Sequence, residues 1–229
     1  MTSTHQDSKR HRAEIAAAYI AGIATGWVLT SYAGNLGNIL LDPDPKLFWF
    51  VSRASGITAL VLLTISMALG LAISTRLFDQ LMPRALTFGI HEHTSWLALA
   101  LTGLHAGVLL LDRAEPFSLA QVLLPFTSAY RPVPVGLGVL ALYGMAAVTI
   151  SFYLKPRFSH HAWRLLHLTS YGLYLIAVGH GILSGSDTGQ AWMQWLYLTS
   201  AAVVLFLTLM RILLPARQGR LAAAGTERG

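Results

Sequence analysis

The chain has 229 residues, with 16 Lys and Arg against 10 Asp and Glu, and a formal charge of +6. Only 11% of its residues are charged while 54% are hydrophobic, whereas a soluble domain carries roughly 25% charged residues. A soluble fold of this length leaves about a third of its unfolded surface exposed and has no room to hide so much apolar material; the same excess excludes disorder. Cysteine is absent, which excludes disulfides, iron–sulfur clusters, thiolate-ligated haem and covalent haem attachment through C-x-x-C-H. What remains is an all-α, polytopic membrane protein.

A span needs about 20 largely apolar residues, and six segments qualify. The first, residues 15–33, is rich in Ala, Gly and Thr and follows Lys9, Arg10 and Arg12. A cleavable signal peptide is the alternative reading there, although the apolar run exceeds the usual h-region of about 7–15 residues. Residues 34–46 hold Asp42-Pro43-Asp44-Pro45, a turn-rich loop. Spans follow at 47–73, 86–111, 133–154, 165–183 and 192–214. Between the third and fourth lies the longest connection, whose 117–126 portion reads as a short interfacial helix. Residues 215–229 form a basic tail expected to fray.

Twelve Lys and Arg fall in the segments on one side: Lys9, Arg10, Arg12, Arg76, Arg84, Lys155, Arg157, Arg164, Arg211, Arg217, Arg220 and Arg228. Four fall on the other: Lys46, Arg53, Arg113 and Arg131. The positive-inside rule then places both termini in the cytoplasm. The expected organisation is a cytoplasmic tail at 1–14, a six-helix domain at 15–214 and the tail at 215–229, in the cell membrane. The excess positive charge therefore calls for no nucleic-acid partner. No G-x-G-x-x-G or phosphate-loop pattern occurs, so no nicotinamide or flavin site of the usual kind is expected.

Nine histidines are the only strong nitrogen ligands. His5 and His11 sit in the N-terminal tail; the other seven gather at two spans. His91, His93 and His105 belong to the third, and His160, His161, His167 and His180 to the fifth. An ionisable side chain at membrane depth marks a functional site by default. His91 and His105 are 14 residues apart, about 21 Å of rise and within about 40° of one face. His167 and His180 are 13 apart and about 140° out of phase on an ideal helix, so that pair needs a helix irregularity or side chains reaching round from different flanks. The two spans run parallel, which pairs His91 with His167 near the cytoplasmic side and His105 with His180 near the outer side. Two imidazoles at each of two depths suit two six-coordinate b-type haems stacked through the bilayer. His93, His160 and His161 are alternatives for the inner ligands. Gly103, Gly107, Gly179 and Gly181 flank the outer pair and would let a flat macrocycle approach the backbone.

Arg53 and Arg131 are candidates for pairing with outer haem propionates, with interfacial snorkelling as the alternative. Arg84 and Arg164 stand in the same relation to the inner haem. The tryptophans read as interface markers, and the 117–126 segment as a cover for the outer haem.

The chain from about Phe48 to Leu214 resembles the ferric reductase-like transmembrane domain family. This group includes the membrane cores of NADPH oxidases and ferric reductases, and the haem subunit of the periplasmic methionine sulfoxide reductase system. The resemblance is carried by Trp49-Phe50-Val51-Ser52-Arg53-Ala54-Ser55-Gly56, by His91 with His105, and by Ser128-Ala129-Tyr130-Arg131-Pro132 running into Gly136–Tyr143. It continues in Trp163-Arg164-x-x-His167 and His180-Gly181-x-x-x-Gly185-Ser186-Asp187. It implies two non-covalent haems on four histidines and a tolerated 13-residue spacing. The flavin and nicotinamide domain of the larger relatives is missing, so any flavin would come through a partner.

The expectation is a membrane subunit that moves electrons from a separate flavoprotein reductase or a quinol to an outer-side acceptor. Two alternatives stand beside it: a metal or proton transporter built on intramembrane histidines, and a haem-stabilised anchor for a redox partner.

Overall fold

The computed structural model describes residues 46–79, 81–112 and 115–226, with side chains through Leu213. The expected first span and the 1–14 tail lie outside the described residues. Phe48–Gly229 forms one compact unit, which carries the contacts described below.

The described residues are helical, with no strand among them. Helix α1 spans Leu47–Thr75. Helix α2 spans Arg84–Val108 and tightens into a 3₁₀ turn at Leu109–Leu111. A short α3, Leu119–Leu123, is closed by a full capping box in which Ser118 and Gln121 each bond the other's backbone N–H. Helix α4, Pro132–Ser151, starts with Pro at its first position, after Arg131 in a left-handed conformation (φ 45°). Helix α5, His160–Leu168, is capped by the Ser159 side chain and passes through Thr169 into α6, Ser170–Ser184. Helix α7 spans Ala191–Thr226.

Five helical stretches are long and apolar enough to cross a membrane: Leu47–Thr75, Arg84–Leu111, Pro132–Ser151, His160–Ser184 and Ala191–Leu213. These match five of the six expected spans to within a few residues, because apolar run length is a property of the local sequence. The protein is a multi-pass helical membrane protein. One expectation fails at its end: α7 continues through Pro215 to Thr226, so the tail is helical there. Its Leu, Ala and Arg content favours helix.

Side-chain contacts give the directions of the helices. Ser52 and Ser66 of α1 meet His105 and His91 of α2 respectively, so α1 and α2 run antiparallel. His91 and His105 meet His167 and His180, so α2 runs parallel to α5–α6, as expected. α4 packs extensively on α6, and closely, since a Cβ at Gly144 would collide with Leu173. α7 inserts Val204 beside Met67, Leu71 and Tyr174, and Met193 and Tyr197 beside Leu60. These two small apolar clusters are what bind α7 to α1 and α6. Leucines and phenylalanines remain exposed on the outer faces, including Leu175, Leu205 and Phe206, as lipid solvation requires.

Near the His91 end, the Tyr153 hydroxyl donates to Glu92 (2.6 Å) and accepts from the Trp96 indole (2.9 Å). The bond to Glu92 is the main reason the Tyr153 phenol is raised above its ordinary range. The raised value favours the protonated form, so this contribution to stability is intact below the ordinary tyrosine pKa and disappears as pH climbs through the raised one. Tyr153→Phe is expected to reduce the late-titrating part of the absorbance change at 295 nm by one tyrosine. A late-titrating amplitude unchanged by the substitution contradicts the assignment.

Candidate functional site: two stacked imidazole pairs

The site begins on α1, where Ser-x-x-x-Gly occurs twice at a 14-residue interval, Ser52/Gly56 and Ser66/Gly70. This is the interval that separates His91 from His105 on α2. Antiparallel packing in register therefore sets one serine and one glycine opposite each of these histidines.

At one level, His91 Nδ1–H donates to the Ser66 carbonyl (2.9 Å), with Ser66 Oγ at 3.2 Å. Ser66 Oγ lies 2.7 Å from Ser95 Oγ, whose hydroxyl donates to the His91 carbonyl (2.7 Å). At the other level, His105 Nδ1–H donates to the Ser52 carbonyl (2.8 Å), and the Ser52 hydroxyl returns a bond to the His105 carbonyl (3.0 Å). From α6, His180 Nδ1–H donates to the Pro134 carbonyl on α4 (2.8 Å). A carbonyl only accepts, so the proton of these three rings is on Nδ1 and the lone pair is on Nε2. Metal-bound histidines are oriented in this way, with the second nitrogen donating to a carbonyl that also raises ligand basicity.

The rings close in pairs. His91 and His167 have centroids 6.4 Å apart with planes at 78°; His105 and His180 are 6.1 Å apart at 75°. Two imidazoles on opposite sides of one metal, each bonded at about 2 Å, have ring centres about 6 Å apart. The pairs expected from spacing are thus the pairs that form. The 13-residue problem is met by the interruption at Thr169, whose N–H reaches back to both Leu166 and His167 carbonyls, two residues beyond His167.

Three further glycines, on α1 and α4, lie against the imidazole rings. A Cβ on Gly138 would lie 2.6 Å from the His180 ring, on Gly56 2.8 Å from His105, and on Gly70 3.3 Å from His91. These three glycines seat the imidazoles. Gly103, Gly107 and Gly179 have nothing within 4 Å of such a Cβ, and Gly181 faces Tyr197. Beside His105 and His180 opens a cavity of about 480 Å³, lined mainly by apolar groups such as Leu60, Val139 and Met145, within the size range of small-molecule and cofactor pockets. Phe117, Gln121 and Val122 of the 117–126 segment line it too, so this segment flanks the His105–His180 pair.

Arg53 lines the cavity, forms an ion pair with Asp187, and lies over Trp49, 5.2 Å from the ring centroid. Asp187 is buried and Arg53 only partly so. The α6–α7 loop thereby closes on the start of α1. Arg131 donates to the Leu183 carbonyl at the end of α6 (2.7 Å) and lies over Tyr130, a favourable place for a cation. Arg84 likewise donates to the Ile73 carbonyl near the end of α1 (3.3 Å). Arg164 is exposed one turn before His167, and His93, His160 and His161 are exposed as well.

The contacts of three residues near the pairs are not read from the sequence. Asp187 is among the residues that carry the resemblance, but its pairing with Arg53 has no periodic signal. Arg211 donates to the Tyr171 hydroxyl (3.1 Å), one turn from His167, yet in sequence it looks like any positive-inside residue. Trp163, read as an interface marker, stacks on His167.

Among the described residues no group of three or more His, Cys, Asp or Glu is placed to hold a metal ion. Compared with family models, curated proteins and solved structures, the chain finds no match.

Proposed function

We propose that this chain carries electrons across the cell membrane through two b-type haems, held by His91 with His167 and by His105 with His180. It would act as the membrane subunit of a ferric-reductase-like oxidoreductase. The single observation that carries the reading is the spacing of the two imidazole pairs, each about right to grip one iron from both sides. Two protein nitrogens are too few for a bare divalent cation, whose sites commonly take three or four protein ligands; a porphyrin brings the four equatorial nitrogens itself. When bound, the haems supply reversible one-electron chemistry at two depths.

The protein's share is ligation, burial and alignment. Ser52, Ser66 and Pro134 hold three rings in the tautomer that presents Nε2. Gly56, Gly70 and Gly138 let the rings lie against their neighbours. His91 with His167 and His105 with His180 would each supply two nitrogens to one haem iron, which suits electron transfer rather than oxygen binding. Donor and acceptor meet the protein at its two ends, a flavoprotein reductase or quinol on the cytoplasmic side and an acceptor on the outer side.

Detergent-purified protein is expected to show reduced-minus-oxidised bands of low-spin b haem, at about two haems per chain. Reoxidation by an added acceptor separates a carrier from a haem-stabilised anchor. Colourless protein that binds zinc overturns the reading in favour of a transporter.

A further inference from the structure

Three of the four imidazoles are oriented by a main-chain acceptor, and His167 is the exception. Its Nδ1 is buried and has no hydrogen-bond partner among the described residues. The ring lies instead almost flat against Trp163, one helical turn earlier, with centroids 5.2 Å apart and planes 16° from parallel. Positions four apart share a helix face, so α5 itself brings the two rings together. Lys155, in the turn before α5, places its ammonium 4.5 Å from the centroid of the same indole, a cation–π contact that fixes the indole in turn. Buried tryptophan usually finds a partner for its N–H, yet the Trp163 Nε1 has none among the described residues. What Trp163 contributes here is its face.

We infer that Trp163 is a positioning residue for His167, holding by stacking the one ligand that lacks a backbone anchor. Lys155 backs the indole, and the stack sets the near-perpendicular angle between His167 and His91. The inference rests on the two-haem reading above and deepens it at the inner site. It also separates the two sites: rotation of the outer ligands is restrained by hydrogen bonds at both rings, and that of the inner ligands by one hydrogen bond and one stack.

The test uses the full chain in detergent, in a His105→Ala background so that the inner haem is read alone. Its low-spin electron paramagnetic resonance signal reports the angle between the axial imidazole planes. Trp163→Ala is expected to shift and broaden that signal, move the midpoint potential, and weaken haem retention by about two- to tenfold, the effect of losing one aromatic pair. Trp163→Phe keeps a ring on His167 and is expected to stay close to the parent in all three. An unchanged signal and potential in Trp163→Ala overturns the inference. So does a Trp163→Phe variant as perturbed as Trp163→Ala, because the stack would then not be the cause. Wild-type protein without haem overturns the two-haem reading itself, and is distinguished by being seen before any substitution is made.

Discussion

His105→Ala protein is expected to lose one haem and keep the other, so that its absorbance falls by roughly half, given one haem on each histidine pair. The reason is geometric. His105 and His180 form a closed pair 6.1 Å apart, and His91 lies about 21 Å along the same helix, too far to be drawn into the vacated place. His91→Ala is expected to give the reciprocal result, and the double variant to be colourless. Sites this far apart with no shared partner behave additively, so each single variant serves as the folding control for the other. Haem content per chain and the difference spectrum check the outcome; a single variant that keeps its full complement removes the ligand assignment.

Gly138→Ala is expected to be nearly as damaging to the outer haem, although it removes no ligand. The added methyl would sit 2.6 Å from His180 Cε1 and 2.7 Å from Nδ1, well inside van der Waals contact. The ring cannot retreat freely, because its Nδ1–H is bonded to the Pro134 carbonyl only four residues earlier on α4. Relief requires giving up that bond or swinging Nε2 off the line to its partner. Overpacking of this kind costs about 1–3 kcal/mol, equivalent to about five- to 150-fold weaker retention. The same change at Gly70, where the nearest ring atom of His91 is 3.3 Å away, is expected to be mild, with Gly56 between them at 2.8 Å. Haem released on dilution into detergent, measured for the three variants, orders them. Equal losses at Gly138 and Gly70 would show that the glycines do not seat the rings.

The spans of α1, α2, α4, α5–α6 and α7 and the pairing of His91 with His167 and His105 with His180 were legible in the sequence. So was the phase mismatch between His167 and His180, which left a helix irregularity or side chains reaching round from different flanks as its two solutions. The serine–glycine repeat on α1 was equally present, at the interval of the α2 histidines, and only the absence of a reason to compare two different helices concealed it. Arg131 and Arg84 illustrate the opposite case. Both are cations near candidate haem edges in the sequence, yet in the fold each is bonded to a main-chain carbonyl near the end of a helix.

Apolar run length and helical period are written along one chain segment, and from them alone come the membrane class, the five described spans and the two depths of histidine. Which carbonyl orients each anchored ring, which glycines yield to it, and that Asp187 pairs with Arg53 were decided only in the tertiary structure. These contacts depend on the axial register and rotation of packed helices, set jointly by many small side chains across an interface, and no single segment encodes them.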